Sequence, residues 1–398
     1  MKKKKNILFV GTEGFPYGLA GVQKAILISK CLALTGNSIS VVCRKGIHSL
    51  ETYPDLKAHG DFQGIEYIYT SGYPFRSPNF FRRNLLKVKG AINEILLFRK
   101  RKKDNQLDFV LISTRRISKI LLYFILSKLY RFKTILNYVE YFSSVEKNKS
   151  QRLLRLNDQL FDKLAPKFVD SVFPISEFLI SHVKEVAPGR QYLKIPVLTD
   201  FERYNDIEYT DGRNYFLFCG DAGYKEIIFF IIDAYNKLKS NELDLFLVIN
   251  GSEEDKRAVK KYASENPKGK NIKIFSRLSE KELFTFYKNA VALLIPLRPT
   301  FQDFARFPHK TGEYMASGNP VISTNYGEIK YYFKDLKDIL VSEIYDVNFF
   351  AEKMQFVIDN PDIAKEIGKR GKDRAMELFN YRQKAKEIDD FLNDQLAL

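Results

Sequence analysis

The sequence predicts an α/β protein made of two doubly wound, Rossmann-like domains. Three observations carry that expectation. Short runs of branched and aromatic residues alternate with amphipathic helical stretches through both halves of the chain, as parallel strands with crossover helices require. Glycine-bearing turns follow strand ends in each half, from Gly11 to Gly21 and again from Gly220 to Gly223. The length, 398 residues, exceeds what one core usually fills and suits two domains of roughly 150 to 200 residues.

Residues 7–10 read as the first strand, 22–35 as a helix and 38–43 as the second strand, a βαβ opening with a long glycine-rich loop. The loop lacks the G-x-G-x-x-G spacing, and the second strand ends in Arg44 and Lys45 where an acidic residue would hold a ribose. Both points argue against a dinucleotide dehydrogenase. Gly21 falls at the start of the helix. There it either lets backbone N–H groups meet an anion or simply serves the turn. Further strands are expected at 65–69, 109–113 and 134–137, with Arg115 and Arg116 opening a helix after the second of these. Glu140, just beyond the 134–137 strand, is either an acceptor-side base or orienting carboxylate, or a structural hydrogen-bonding group. A helix at 154–165 leads to a strand at 171–174, and Ser176 is placed to cap the next helix. Residues 194–200 close the first domain, and the polar stretch 200–213 reads as the linker.

The second half repeats the pattern. Strands are expected at 215–219, 243–249, 272–275 and 290–296, and helices at 227–238 and from Ser279 onward. Gly220 lies in the first turn, and Lys225 at the following helix start is either set to neutralise a phosphate or an exposed surface lysine. Residues 307–328, FPHKTGEYMASGNPVISTNYGE, concentrate the signal. A Pro-His-Lys entry feeds a short helix, Gly318 sits where a C-cap belongs, Asn319-Pro320 stops the helix, and 321–324 reads as a buried parallel strand. Polar residues gather at helix starts and strand ends, where open α/β sheets bind ligands.

Apolar residues make up 45% of the chain and charged residues 28%, a globular composition. No run reaches the roughly 18 apolar residues of a membrane span. The basic start followed by four apolar residues reads as a first strand, not a signal peptide. Cys31, Cys43 and Cys219 lie in apolar patterns without metal-ligand spacing, so buried reduced thiols in a cytoplasmic protein are expected, with no metal. Residues 1–200 hold 34 Lys and Arg against 16 Asp and Glu, and the remainder 30 against 32, so the whole positive excess is in the first half. The densest stretch joins Arg82 and Arg83 to Arg99, Lys100 and Arg101 through a helix with an apolar stripe. It is either a solvated helix or a face for an anionic membrane. Nucleic acid is disfavoured, since no recognised binding pattern occurs.

With these residues in view, the whole chain resembles the GT-B glycosyltransferases, most closely family 4, the retaining enzymes of glycosyl transferases group 1. PHKTGEYMASGNPVIST resembles the family's K-x-x-E-x-x-A-x-G-x-P-V-I segment; IPVLTDFERY, FLFCGDAGYKE and SRLSEKELFTFYKNAVALLIP support it in the right order. The resemblance implies two domains facing across a cleft. Residues 1–200 would bind the acceptor, 201–380 the nucleotide sugar, and 381–398 would form a helix packing back on the first domain. It implies that Glu313 holds the ribose, Lys225 neutralises the leaving diphosphate, Gly327 and Glu328 flank sugar and phosphates, Gly220 lies in the phosphate turn, and Gly21 approaches the diphosphate. No metal is needed, and the nucleotide sugar is a substrate. The acceptor would be a glycan or lipid-linked, the enzyme cytoplasmic and peripheral on the inner membrane face.

Three departures from the family pattern stand out. Ala305 replaces a sugar-contacting Glu, with Asp303 near but off register; Asp221 replaces an Arg; and a His after the fourth strand is missing. Arg306, His309 and Lys310 lie beside the gap and could supply charge or hydrogen bonds, His309 being otherwise a turn or cap residue. The alternative is a degenerate GT-B module that binds a sugar nucleotide or a partner protein without turnover.

Overall fold

The protein is described from a computed structural model covering residues 4–18, 20–145, 151–208, 215–240 and 242–397. Two compact units emerge, Met1–Leu198 with Tyr381–Leu398, and Thr199–Asn380.

The first unit opens with β1 (Asn6–Val10), α1 (Ala20–Leu34) and β2 (Ser38–Cys43), then β3 (His59–Phe62), β4 (Ile65–Tyr69) and the 24-residue α2 (Phe80–Lys103). It continues through β5 (Phe109–Ile112), α3 (Ile117–Tyr130), β6 (Lys133–Tyr138), α4 (Arg152–Leu164), β7 (Ser171–Pro174), α5 (Glu177–Val186) and β8 (Gln191–Tyr192). The sheet order is β3-β4-β2-β1-β5-β6-β7-β8, parallel except for β3. Phe9, Val10, Val41, Phe109 and Leu111 are wholly or almost wholly buried, which is why these strands read as unbroken apolar runs. β3, HGDF, was not expected. It is an edge strand with one apolar residue, Phe62, and its order comes from antiparallel pairing with β4. Ser176 does cap α5, its hydroxyl accepting from Leu179 N at 3.2 Å.

The second unit runs β9 (Tyr215–Asp221), α6 (Lys225–Asn236), β10 (Asp244–Asn250), α7 (Glu253–Glu265), β11 (Ile272–Phe275), α8 (Glu280–Asn289) and β12 (Ala292–Ile295). Then come α9 (Phe301–Ala305), α10 (Lys310–Ser317), β13 (Val321–Thr324), α11 (Ile329–Tyr332), β14 (Leu340–Ser342), α12 (Val347–Asp359) and α13 (Pro361–Phe379). The sheet is parallel, in the order β11-β10-β9-β12-β13-β14. From β9 the chain winds first to one side and then, at β12, to the other, so the switch point lies between β9 and β12. α8 starts in a capping box, Ser279 with Glu282, and α10 ends at Gly318 with φ +80°, a left-handed stop that glycine adopts without strain.

The expected linker needs correction. Asp200 caps a short 3₁₀ turn, Phe201–Tyr204, that belongs to the second unit, because Phe201 and Tyr204 are buried and the Tyr204 hydroxyl donates to Glu313 O at 2.7 Å. Residues 209–214 of that stretch lie outside the described residues. The last helix, α14 (Tyr381–Ala397), packs in the first unit against α1. Its Asp389 accepts from the buried Lys5 amine at 2.8 Å and from Asn37, and the Cys31 thiol donates to Tyr381 O.

Candidate functional site

The carboxyl ends of β9, β12 and β13, neighbours at the switch point, bring three loops of the second unit together. After β9, Gly220 and Asp221 begin a tight turn in which the Asp221 carboxylate accepts from Gly223 N at 2.8 Å. After β12, the chain passes Arg298 and α9 to Arg306, His309 and the start of α10. After β13 it turns through Gly327 and the buried Glu328. Gly327 has φ +58°, and a Cβ there would stand 2.6 Å from Asp303 O, so both backbone and space call for glycine.

Asp303 organises the middle loop. Its carboxylate, fully buried, accepts from Arg298 N at 2.8 Å, from Arg298 Nε at 3.0 Å and from an Arg306 terminal nitrogen at 2.6 Å. A buried charge is tolerable only when so partnered. The Arg306 guanidinium in turn lies over the Tyr224 ring, 4.8 Å from its centre, which brings a cation back to the turn after β9. Lys310, first residue of α10, reaches the same turn: its amine donates to Cys219 O, and a Cβ on Gly220 would be 3.5 Å from Nζ. Burial draws that amine below its ordinary range.

Glu313 lies one turn further along α10, with only 15% of its side chain exposed. Its Oε1 is 3.6 Å from His309 Nε2. Burial pushes the carboxyl up to about 7, against the pull of Arg203 and Lys310 and with the push of Glu280. The helix holding it is fixed from behind, since Cys219 N donates to the Tyr314 hydroxyl at 2.8 Å. The result is a shallow constellation of two cations, an adjustable carboxyl and a glycine turn, fitted to a ligand that combines an anion with vicinal hydroxyls.

Residues 201–374 match the family model described as glycosyl transferases group 1. The second unit is a glycosyl transferases group 1 domain. The two Rossmann-like units, the second carrying this match, have the GT-B fold of solved glycosyltransferases. Among solved structures it is similar to sucrose-phosphate synthase (tll1590) from Thermosynechococcus elongatus, at 17% identity and TM-score 0.77 over 99% of this chain and 100% of that one. It is also similar to a glycosyltransferase from Rickettsia africae ESF-5, at 17% identity and TM-score 0.71, with 99% of each chain covered. Anabaena Alr3699/HepE in complex with UDP-glucose aligns at 13% identity and TM-score 0.67, over 98% of this chain and 99% of that one. No curated protein matches the sequence.

The second unit thus gathers Gly220, Arg306, His309, Lys310, Glu313, Gly327 and Glu328. Lys225 stands at the first position of α6, but its amine is bonded to Asp255 of α7 at 2.8 Å. The Lys225 side chain is 41% exposed. Ala305 is fully buried, and the nearby Asp303 is committed to its arginines. Cys219 is part-exposed, a correction to the buried thiol expected from its apolar surroundings; Cys31 and Cys43 are buried.

Gly21 and Glu140 belong to the first unit. Gly21 is in the first turn of α1 with open space where a Cβ would be, and Glu140 follows β6, its charge felt by Arg115. Arg115 itself is forked onto the buried Asp158 at 2.8 and 3.1 Å. Of the basic helix residues, Arg99 and Lys100 are exposed and Arg82 covers Tyr73, whereas Arg101 is bonded to Glu66 at 2.6 Å. Sequence reasoning passed over Lys24, one turn into α1. Burial pushes its amine down to about 7, and it has no hydrogen-bond partner among the described residues. Nothing in the surrounding apolar run marks it.

Proposed function

We propose that the chain moves a sugar, with retention, from a nucleoside diphosphate sugar to a glycan or lipid-linked acceptor. The observation that carries this reading is the convergence of Lys310, Arg306, Glu313 and the Gly327 turn at the switch point of the group 1 domain. Ionised Glu313 accepts from both ribose hydroxyls. Lys310 and Arg306 take the diphosphate, whose negative charge grows as the glycosyl bond breaks, so their attraction is stronger in the transition state than in the ground state. Arg306, over Tyr224 beside the turn after β9, would supply the charge of the arginine replaced by Asp221. The HepE structure holding UDP-glucose, a protein of the same fold, supports a donor of this class.

Acceptor binding falls to the first unit, with its excess of positive charge. The exposed line Phe81, Leu85, Val88, Ile92 and Leu96 on α2, flanked by basic residues, supports peripheral attachment to the cytoplasmic face of an anionic membrane. No described helix is long and apolar enough to cross one.

Thermal melting with uridine, guanosine, adenosine, cytidine and thymidine diphosphates tests the donor half: one of them should raise the Tm, and Glu313→Ala should remove the shift. An unmoved melting curve with every base would sink it. The buried Ala305 and the engaged Lys225 favour one second reading, a module that binds a sugar nucleotide without turnover. Donor hydrolysis by the purified chain separates the two, since only the enzyme releases free sugar.

A further inference from the structure

We propose that a second pocket, in the first unit, receives a phosphate or pyrophosphate group carried on an aliphatic tail. The pocket has a volume of about 400 Å³ and lies between the loops that follow β2 and β4. These strands are parallel neighbours, so the pocket opens at the carboxyl edge of the sheet, where α/β folds bind ligands.

Lys45, Arg76, Arg83 and Lys87 line it, and no acidic residue does. None of the four forms an ion pair among the described residues, in contrast to nearby Arg44, which is locked onto Glu94, and Arg101, on Glu66. Four like charges around one cavity repel, and a bound anion turns that repulsion into attraction. Ser77 also lines the pocket. It is 3% exposed, and its hydroxyl has no hydrogen-bond partner among the described residues, an arrangement that a phosphate oxygen would satisfy. Arg83 stands in the second turn of α2 and Lys87 one turn later; the first turn carries no acidic residue, so the positive end of a long helix dipole adds to the field.

The walls are preformed. Arg76 N donates to His48 O at 2.9 Å, His48 bridges to Phe75, and Gly46 approaches so closely that a Cβ would be 2.3 Å from the Pro74 carbonyl carbon. A rigid cationic pocket loses little freedom on binding. The tail follows from the neighbourhood. Ile47, Phe75 and Leu86 complete the lining, and Ile47 is 45% exposed, so an apolar wall continues from the cationic one. A free inorganic anion would leave that wall bare, whereas a lipid phosphate covers it.

The inference rests on the acceptor half of the function proposed above and is independent of the donor half. Calorimetry on the full chain at 150 mM NaCl, with farnesyl pyrophosphate below its micellar range, tests it. Arg76→Glu with Lys87→Glu, both exposed positions, should weaken binding at least tenfold, and Ser77→Ala severalfold. Arg306→Glu with Lys310→Glu should leave it within twofold. Unchanged binding in the Arg76/Lys87 variant overturns the pocket. Equal affinity for inorganic pyrophosphate overturns the tail, and displacement of farnesyl pyrophosphate by a single-stranded oligonucleotide at equal phosphate concentration overturns the lipid assignment. The nucleoside diphosphate melting shift, read on the Arg76/Lys87 variant, reports separately on the donor site.

Discussion

Glu313 is held between two demands. As the ribose ligand proposed above it must be ionised, yet its surroundings push the carboxyl from an ordinary value of 4.5 to about 7. Arg203 and Glu280 face it from other elements, Lys310 and His309 from its own stretch of chain. Between those two values the folded protein binds the extra proton, so Glu313 contributes stability at low pH that is lost as pH rises toward 7. The melting temperature of the free protein should therefore decline less across pH 5 to 7 in Glu313→Gln than in the parent. Nucleoside diphosphate affinity should rise through about pH 7 in the parent and rise less in the variant, since the ligand selects the carboxylate. Identical pH profiles in the two proteins, measured by calorimetry, would rule the assignment out. The meeting of Glu313, Lys310 and Gly327 at one sheet edge was legible because they are close in sequence and spaced by one helix and one strand. The role of Asp303 was not, because it comes from complete burial beneath two arginines, which spacing does not encode.

At the scale of elements, α2 separates two kinds of surface on one helix. Gly90, Glu94 and Phe98 are buried against the unit, while Phe81, Leu85, Val88, Ile92 and Leu96 face outward at helical spacing. Neighbouring α3 adds Leu121, Ile125 and Leu129, so the exposed apolar area is shared by two packed helices. A large apolar side chain moved out of water is worth roughly 1.5 to 3 kcal/mol. Replacing Leu85 and Ile92 together by Asp should lower binding to vesicles rich in anionic phospholipid at least tenfold without lowering the Tm, because both residues are already exposed. Undiminished flotation of the variant with such vesicles would refute this role. The helix and its basic end were legible from periodicity and charge, but not the pocket at its start, which needs loops from two other strands. Strands at Ile65–Tyr69, Ser171–Pro174, Ile272–Phe275 and Val321–Thr324 match their sequence-based bounds, since each is a short apolar run between turn residues. β3 escaped notice because its polar residues depend on β4 for their order.

For the molecule as a whole, the two ends of the chain meet in the first unit. The Lys5–Asp389 pair is 1% and 4% exposed in its side chains, so removing one partner strands a charge away from water. Asp389→Ala should destabilise the first unit by roughly 3 to 5 kcal/mol, read as a lower denaturant midpoint, with Lys5→Met restoring part of the loss. A loss below about 1 kcal/mol would show that the pair contributes little. Alternation of strands and helices made the two-unit plan legible. The place where the first unit ends was harder to read, because polar residues 200–208 resemble a linker while their aromatic members, Phe201 and Tyr204, are buried in the second unit.

The return of α14 has one more consequence. The second unit begins at Thr199 and ends at Asn380, and these termini are already neighbours: Thr199 N donates to Phe379 O at 2.8 Å and Thr199 bridges to Asn380. Topologically it is a cassette spliced into the first unit at a single point. Residues 199–380 can thus be exchanged for the corresponding cassette of another protein by two junctions a few ångströms apart, leaving the strand order of the host sheet intact. On the function proposed above, donor choice and acceptor choice are in that sense separately inheritable, and a library of such grafts on this host is the direct way to reassign one while keeping the other.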